Sequence, residues 1–386
     1  MAARLDDTPT NRAVALDRLH RQTAALDLFE FWSEEEGYAH AAAEKLQWRI
    51  AAVPHLWRFR DVEPYLRSAS ELIPLEISER RSLIMVNPAL KPTIATVSTM
   101  FAAYRLNLRH EIAPAHRHTP NAIRFGLIGA TNFTSVDGEN ITFGPGDLVL
   151  TPHDTWHNHG NGPDDGSINL SVLDMPLTNV LNATMFEHDF TEDRGGETVR
   201  TDVQSARVSD HYSQEIYGTG GLRPAFVDPV RGTGNSSPMY VYRWEETARL
   251  LDRVRHYDGS PFEGILVDVV DPVTGGPVYP SMTFAYQLLR PGEALLPVRQ
   301  NANVICTVYH GTGSSRVGER TFDWERFDTF CIPGGTWYEH RNTGEGEAIL
   351  FLSTDAPTLR ALAYMSKQGR RASGETVILE TSKRRG

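Results

Sequence analysis

The 386-residue chain is poor in cysteine. Cys306 and Cys331 are its only two, so a disulfide framework is excluded, and their spacing matches no CxxC metal or redox motif. It also lacks any run of 18 apolar residues, so no membrane-spanning helix is expected. The opening MAARLDDTPTNRAVALDRLH has no apolar stretch of the kind a secretory signal carries. These absences fit a reducing, cytoplasmic setting. Positive charge is not in excess either. Lys and Arg number 38 against 49 Asp and Glu, a formal net charge of −11. That balance excludes a generally basic, nucleic-acid-binding surface but permits a local basic pocket for an acidic small molecule.

What is present falls into five stretches. Residues 1–70 read as mostly helical, because ALDLFEFWSEEEGYAHAAAEKLQWRIA is rich in helix formers with an uneven apolar stripe (Leu28, Phe29, Trp32, Ala42, Leu46). Residues 71–180 carry short Val-, Ile-, Thr- and Phe-rich runs between turn residues: SLIMV, TIATVSTMF, IRFGLIG, TNFTSV, NITF and DLVLT. Asp137-Gly138 marks a hairpin, since a tight turn needs the positive φ that Gly tolerates. Residues 181–265 form a mixed connector. In it HYSQEIYGTGGLRP and DPVRGTGNSSP read as loops and YRWEETARLLDRVRHY as a helix. Strands resume over 266–360, and 361–386 reads as a solvated tail, basic at Lys383, Arg384 and Arg385. Many short strands with Gly and Pro punctuation indicate barrels or sandwiches.

An internal repeat sets the architecture. Asp147, Pro152, Thr155, Trp156, His159 and Asn161 recur as Asp328, Pro333, Thr336, Trp337, His340 and Asn342, always 181 residues on. Two copies of one all-β module are the simplest account. Trp156 and Trp337, present in both, read as core aromatics.

The chemistry concentrates in the first copy. In His116-Arg117-His118 an extended backbone points residues i and i+2 to one face, so both imidazoles can converge. His157 follows in Gly146-x5-Pro152-x4-His157-x3-Asn161, on what a small barrel would make a neighbouring strand. An HxH pair alone recurs without metal. Joined to the second segment it points to a divalent transition metal on three neutral imidazoles, with positions left open.

These segments resemble the cupin superfamily, with Asp154 where a glycine is usual and without the glutamate that usually follows HxH. APAHRHTPNAIRF, SVDGENITFGPGDLVLTPHDTWHNHGN, SERRSLIMVNPAL and LDMP resemble a narrower family, the gentisate, salicylate and 1-hydroxy-2-naphthoate 1,2-dioxygenases. The resemblance implies a mainly β bicupin. It would comprise two double-stranded β-helix (jelly-roll) barrels, with a helical segment before them and a mixed connector between. It implies Fe(II) held by His116, His118 and His157, an aromatic carboxylate and O2 as reactants, and a homo-oligomer, often tetrameric. It assigns Arg124, His159 and Asp174 to catalysis, and Arg80, Arg81, Phe101, Arg105 and Arg124 to the substrate. Arg124, six residues after His118, would share the HxH face if the strand ran on unbroken. Arg105 stands where relatives carry glutamine, and Asn169 and Ser171 replace a tryptophan and an aspartate, which points to a roomier pocket with an extra positive charge. The second copy carries Tyr338 at the place of the third histidine, and Val298 and Gln300 at the places of HxH, so it reads as structural. Two other readings stay open at this point: a metal-dependent hydrolase or isomerase on the same barrel, and a non-catalytic small-molecule-binding cupin.

Overall fold

The computed structural model describes residues 9–27, 52–74 and 81–382. The N-terminal unit, Met1–Ile50, contributes a helix at Pro9–Ala24. Most of the expected helical run in 25–51 lies outside the described residues, as do Arg80 and Lys383–Arg385. Ala51–Gly386 forms one compact unit. Among the described residues no helix is long and apolar enough to cross a membrane, and both cysteines are free and buried.

Strand β1 (His55–Trp57) opens this unit and β2 (Ser82–Ile84) follows. The first barrel is built from β3 (Phe101–Asn107), β4 (Ile112–His118), β5 (Ala122–Ile128), β6 (Asn132–Val136), β7 (Glu139–Phe143), β8 (Leu148–Thr151), β9 (His157–Asn161) and β10 (Ser167–Leu173). Its two sheets face each other, one with β8-β5-β10-β3-β2 and the other with β4-β9-β6-β7, the latter edged by β11 (Phe186–Glu187). Asp137 and Gly138 both have positive φ (48° and 79°), as a two-residue turn between β6 and β7 requires. TIATVSTMF does not form the expected strand before Phe101. There the Thr96 hydroxyl donates to Met85 O (2.6 Å) and accepts from Ala102 N–H (2.8 Å), so a side chain takes over ladder bonds.

The connector holds a hairpin of β12 (Thr191–Asp193) and β13 (Thr198–Arg200), then β14 (Val241–Tyr242) and the expected helix, at Trp244–Val254. HYSQEIYG is not a loop but carries a helix at Tyr212–Tyr217. Glu139 accepts from both the N–H (2.9 Å) and the hydroxyl (2.8 Å) of Ser213, a tertiary anchor that local composition does not show. The second barrel runs from β15 (Ile265–Asp268) and β16 (Thr283–Leu289) through β17 (Val298–Gln300), β18 (Val304–His310), β19 (Gly313–Val317), β20 (Arg320–Trp324), β21 (Thr329–Ile332), β22 (Trp337–Asn342) and β23 (Ala348–Thr354). The presumed tail is structured instead. Strands β24 (Ser366–Arg370) and β25 (Thr376–Thr381) extend the β17 sheet, because unpaired edge N–H and C=O groups on β17 offer a ladder.

The two barrels pack back to back and exchange arms. β1 precedes the first barrel yet pairs with β21 of the second, and β14 precedes the second yet pairs with β8 of the first. Each arm leads into a helix whose first N–H is capped by the repeated aspartate of the other barrel: Phe59 N–H by Asp328 (2.8 Å) and Trp244 N–H by Asp147 (2.8 Å). Residues 55–72 thus bridge the two barrels: β1 pairs with the second, while the helix that follows packs mainly against β2 and β3 of the first. The seam is equally reciprocal. The Tyr104 hydroxyl donates to Phe327 O (2.6 Å) and that of Tyr286 to Gly146 O (3.0 Å), the acceptors 181 residues apart and the tyrosines 182. Phe125 stacks on Phe351 at 4.1 Å and 3° between them.

Candidate active site

The alternation of the first barrel is inverted relative to a simple closed core. On β5, Ile123, Phe125 and Leu127 face the second barrel, as do Ala102, Tyr104 and Leu106 on β3 and Ile168, Leu170 and Val172 on β10. The inward positions left over include the polar Arg105, Asn107, Arg124, Asn169 and Ser171, all buried. Opposite them, β4 and β9 present the histidines. His116 pairs with His157 across the ladder, after a bulge between Ala113 and His116.

Three imidazoles share one device. His116 Nδ1 donates to Pro114 O (2.9 Å), His118 Nδ1 to Pro120 O (2.7 Å) and His157 Nδ1 to Thr155 O (2.8 Å). Each bond to a carbonyl two residues away fixes the tautomer with the lone pair on Nε2 and turns the ring inward. The His157 ring centroid lies 4.4 Å from that of His116 and 4.7 Å from that of His118. His157 is fully buried, and its Nε2 has no hydrogen-bond partner among the described residues. A buried orphan of this kind costs stability unless a ligand takes it up. Burial first, then the charges of His116 and His118, push the His157 pKa well below its ordinary value, so the ring is neutral and able to ligate. The donor set fits a borderline divalent metal.

Proximity by itself would choose a different trio, since nitrogens of His116, His157 and His159 lie within 4.8 Å of one another. Bonding distinguishes His159 from the others. Its Nε2 accepts from Arg124 Nη2 (2.9 Å) and its Nδ1 bonds to Thr134 Oγ1 (2.9 Å), so both nitrogens are engaged. A guanidinium can only donate, which makes Nε2 the acceptor and places the proton on Nδ1. Burial, then Arg124 and Arg105, hold the His159 pKa well below its ordinary value. The Nδ1–carbonyl bonds thus set His116, His118 and His157 apart from His159, both of whose nitrogens are bonded within the barrel.

Arg124 arrives by a different route from the one expected. The strand breaks after His118, and Arg124 lies on β5 in the facing sheet, reaching His159 across the barrel. Phe101 packs with Ala103, Ala122 and Leu173 into an apolar inward wall. Arg105 is buried near His159, its Nε donating to Asn107 (3.0 Å). Arg81 is engaged elsewhere. It donates to Ser70 O (3.2 Å) and Ile73 O (3.1 Å) and pairs with Glu111, so it ties the end of the helix Phe59–Leu72 to the first barrel. Asp174 accepts from Asn121 (3.1 Å) and from Ser281 of the second barrel. Its repeat mate Asp355 accepts from Thr99 (2.5 Å) and Asn303 in the same way, so the pair reads as a reciprocal tie across the seam. Trp156 and Trp337 are half-buried rather than core. Arg117 covers one at 5.1 Å and Arg370 the other at 4.2 Å.

Sequence reasoning missed Thr134, which fixes His159, and the mouth of the barrel. There β11 pairs Phe186 with His118, the two rings 5.4 Å apart, and His188 lies 6.1 Å from His116. The alternation Phe186-Glu187-His188 was its only signal. Asp154, just before the third histidine, sits at φ 59°, and its repeat mate is Gly335 at φ 86°. The glycine usual at this place answers that conformation.

Comparison with known proteins agrees with this geometry. A cupin-domain family model matches residues 107–173. The chain is 34% identical over 377 residues to 5-aminosalicylate 1,2-dioxygenase from a Comamonas species, covering 95% of this chain and 94% of that one. It is 31% identical to a gentisate 1,2-dioxygenase from Aquipseudomonas alcaligenes, over 81% of this chain and 85% of that one. The crystal structure of salicylate 1,2-dioxygenase from Pseudoaminobacter salicylatoxidans with gentisate superimposes with a TM-score of 0.79 at 27% identity, covering 95% of this chain and 96% of that one. The hydrolase, isomerase and binding-module readings thereby lose their support. With its bicupin fold and its triad of inward-facing histidines, the chain belongs to the gentisate and salicylate family of ring-cleaving dioxygenases.

Proposed function

We propose that this chain is an Fe(II) enzyme that opens the ring of a hydroxylated aromatic carboxylate between the hydroxyl- and carboxyl-bearing carbons, inserting both atoms of O2. The observation that carries the proposal is the set of three Nδ1–H···O=C bonds, which aim the Nε2 lone pairs of His116, His118 and His157 into a barrel interior that also holds arginine. Three neutral ligands favour a dianionic chelate more than a site with a carboxylate ligand would. When bound, the ion supplies adjacent positions for a hydroxy acid and O2 and a path for electrons between them.

The protein's own groups then sort the substrate. Arg124 offers a guanidinium to the carboxylate, and His159, kept neutral with its proton on Nδ1, accepts from Nη2 and holds that guanidinium in place. Phe101, Ala103, Ala122 and Leu173 supply an apolar surface for the ring. Arg105 adds positive charge on the same side, which favours rings with a further polar or anionic substituent.

The test is an oxygen-electrode panel on protein loaded anaerobically with Fe(II), adding salicylate, gentisate, 5-aminosalicylate and 1-hydroxy-2-naphthoate in turn and following the opened product by ultraviolet absorbance. Stoichiometric O2 uptake with at least one acid is expected. No uptake with any of them, or activity that follows Zn(II) instead of Fe(II), would refute the proposal. A cytoplasmic location and a homotetramer accompany it, to be checked by cell fractionation and light scattering.

A further inference from the structure

The second barrel lacks the ligands but is not solid. Strand register places Cys306 where the first barrel has Arg124, Gln287 where it has Arg105, and Val298 and Tyr338 where it has His116 and His157. Beside Cys306, Gln287 and Tyr338 lies a cavity of about 90 Å³, also lined by Gln300, Val304, His340 and Leu352. At roughly 30 Å³ per liquid water, it holds three waters or one molecule of about five non-hydrogen atoms.

Its polar groups are specific. Gln287 is 3% exposed. Its Nε2 donates to Glu263 O (2.9 Å), and its Oε1 has no partner among the described residues. His340 is buried and bonded through Nδ1 to Ser315 Oγ (2.7 Å). Ser315 Oγ also accepts from Trp324 Nε1 (2.8 Å), and Ser315 is itself fully buried. Among the described residues the serine proton has no acceptor but His340 Nδ1, so His340 carries its own proton on Nε2. Burial pushes the His340 pKa down to about 4, which keeps the ring neutral. The cavity is thus bordered by Gln287, whose Oε1 is a buried, unmatched acceptor, and by His340, whose Nε2–H is a donor. The cations on its lining are already matched, Lys367 by Glu263 and Arg360 by Glu380 at 2.7 Å, while Asp268 adds an acidic group.

We propose that the second barrel is a binding site for a small uncharged molecule that carries both a hydrogen-bond donor and an acceptor, of the carboxamide class. An N–H of the amide reaches Gln287 Oε1 and its carbonyl takes the His340 proton, with the short alkyl part against Val304 and Leu352. An anion finds no uncompensated positive group and must be desolvated, so the site discriminates against the acids used by the first barrel.

The isosteric pair propionamide and propionate tests this on the iron-loaded enzyme at pH 7, by calorimetric titration and by soaking crystals with each. One propionamide should appear in the second barrel, with a Kd on the order of millimolar for so small a ligand. Propionate should bind there at least about tenfold more weakly. Gln287→Leu, which keeps size and removes the acceptor, should weaken propionamide by roughly fivefold to tenfold while leaving O2 uptake on the aromatic acid unchanged. Only ordered water in the cavity, equal occupancy by propionate, or unchanged affinity in Gln287→Leu would overturn the proposal. Should that variant fail to fold, the wild-type crystals decide.

Discussion

Arg124→Met is the substitution that bears most directly on the candidate mechanism. Methionine approximates the length of the arginine stem and fits an apolar environment, so the test is of charge and hydrogen bonding more than of volume. Arg124 is 6% exposed, and it donates through Nη1 to Ile123 O (2.9 Å) and through Nη2 to His159 Nε2 (2.9 Å). A hydrogen bond to a charged group contributes roughly 1.5–3 kcal/mol, and the guanidinium is also the proposed partner of the carboxylate. One such interaction lost from the transition state lowers kcat/KM by about 10- to 150-fold. If the guanidinium mainly binds ground-state carboxylate, the loss falls in KM, and if it steadies charge that develops during the reaction, it falls in kcat. The assay is steady-state O2 uptake with salicylate or whichever acid proves the substrate, alongside iron content. Iron should stay near the wild-type level, because the three Nδ1–H···O=C bonds that orient the ligands do not involve Arg124. A kcat/KM within about threefold of wild type, or a loss of iron in proportion to activity, would refute the assignment.

Other substitutions probe the remaining parts. His118→Ala should leave less than about a tenth of the iron after desalting and abolish turnover, whereas retained iron would mean the ligand set is misassigned. Asp174→Asn should keep activity, since the amide oxygen can still accept from Asn121 and Ser281. Burial raises the Asp174 pKa, so the stability tied to this group is fully present below the ordinary carboxylate range and lost as pH rises through the folded value. The variant should therefore gain stability over wild type between pH 4 and pH 7 in urea titrations; a well-folded but inactive variant would restore Asp174 to the catalytic set. Asp154→Gly should relieve the positive φ at the cost of a 3.5 Å pair with Arg117, a net gain of about 0.5 kcal/mol in chemical denaturation, and a loss of stability would show that the aspartate is held there for another reason.

The repeat and the HxH spacing were readable because both are local or periodic. An offset constant at six positions needs no structure to be seen, and i, i+2 geometry holds on any strand. What could not be read depends on contacts across long separations. The arm exchange is an example: HLW at 55–57 and VY at 241–242 look like ordinary short strands, and nothing nearby says that each pairs with the barrel it does not precede. Arg81 is another. Its position beside Arg80 resembles a pair of substrate arginines, but the carbonyls of Ser70 and Ile73 and the Glu111 carboxylate claim it once the helix docks. HYSQEIYG reads as a loop because its helix rests on an ion pair of Glu139 with Arg231 (2.7 Å) and on Ser213 against that same carboxylate.

The difference between the two barrels is written in strand alternation, although its meaning appears only once the seam is known. SINLSVL and AIRFGLI alternate, and a lone barrel would put the apolar residues inside. Here those residues face the other barrel, so the polar ones line the interior, which is what a site with three histidines and two arginines requires. AILFLST and VICTVYH, at the same places in the second copy, are apolar on both faces: Ile349, Phe351 and Ile305 meet the seam, while Leu350, Val304, Cys306 and Val308 fill the barrel. Continuous apolar strands of this kind are buried on both sides. The second barrel therefore contributes a rigid apolar face against which the polar first barrel can be held. The hydrophobic burial that a polar interior forfeits is recovered at the seam, where Phe125, Tyr104 and Tyr286 are wholly or almost wholly buried. On this argument loss of the second copy's ligands is not decay. Apolar residues there supply the stability that lets the first copy keep buried histidine and arginine available for chemistry.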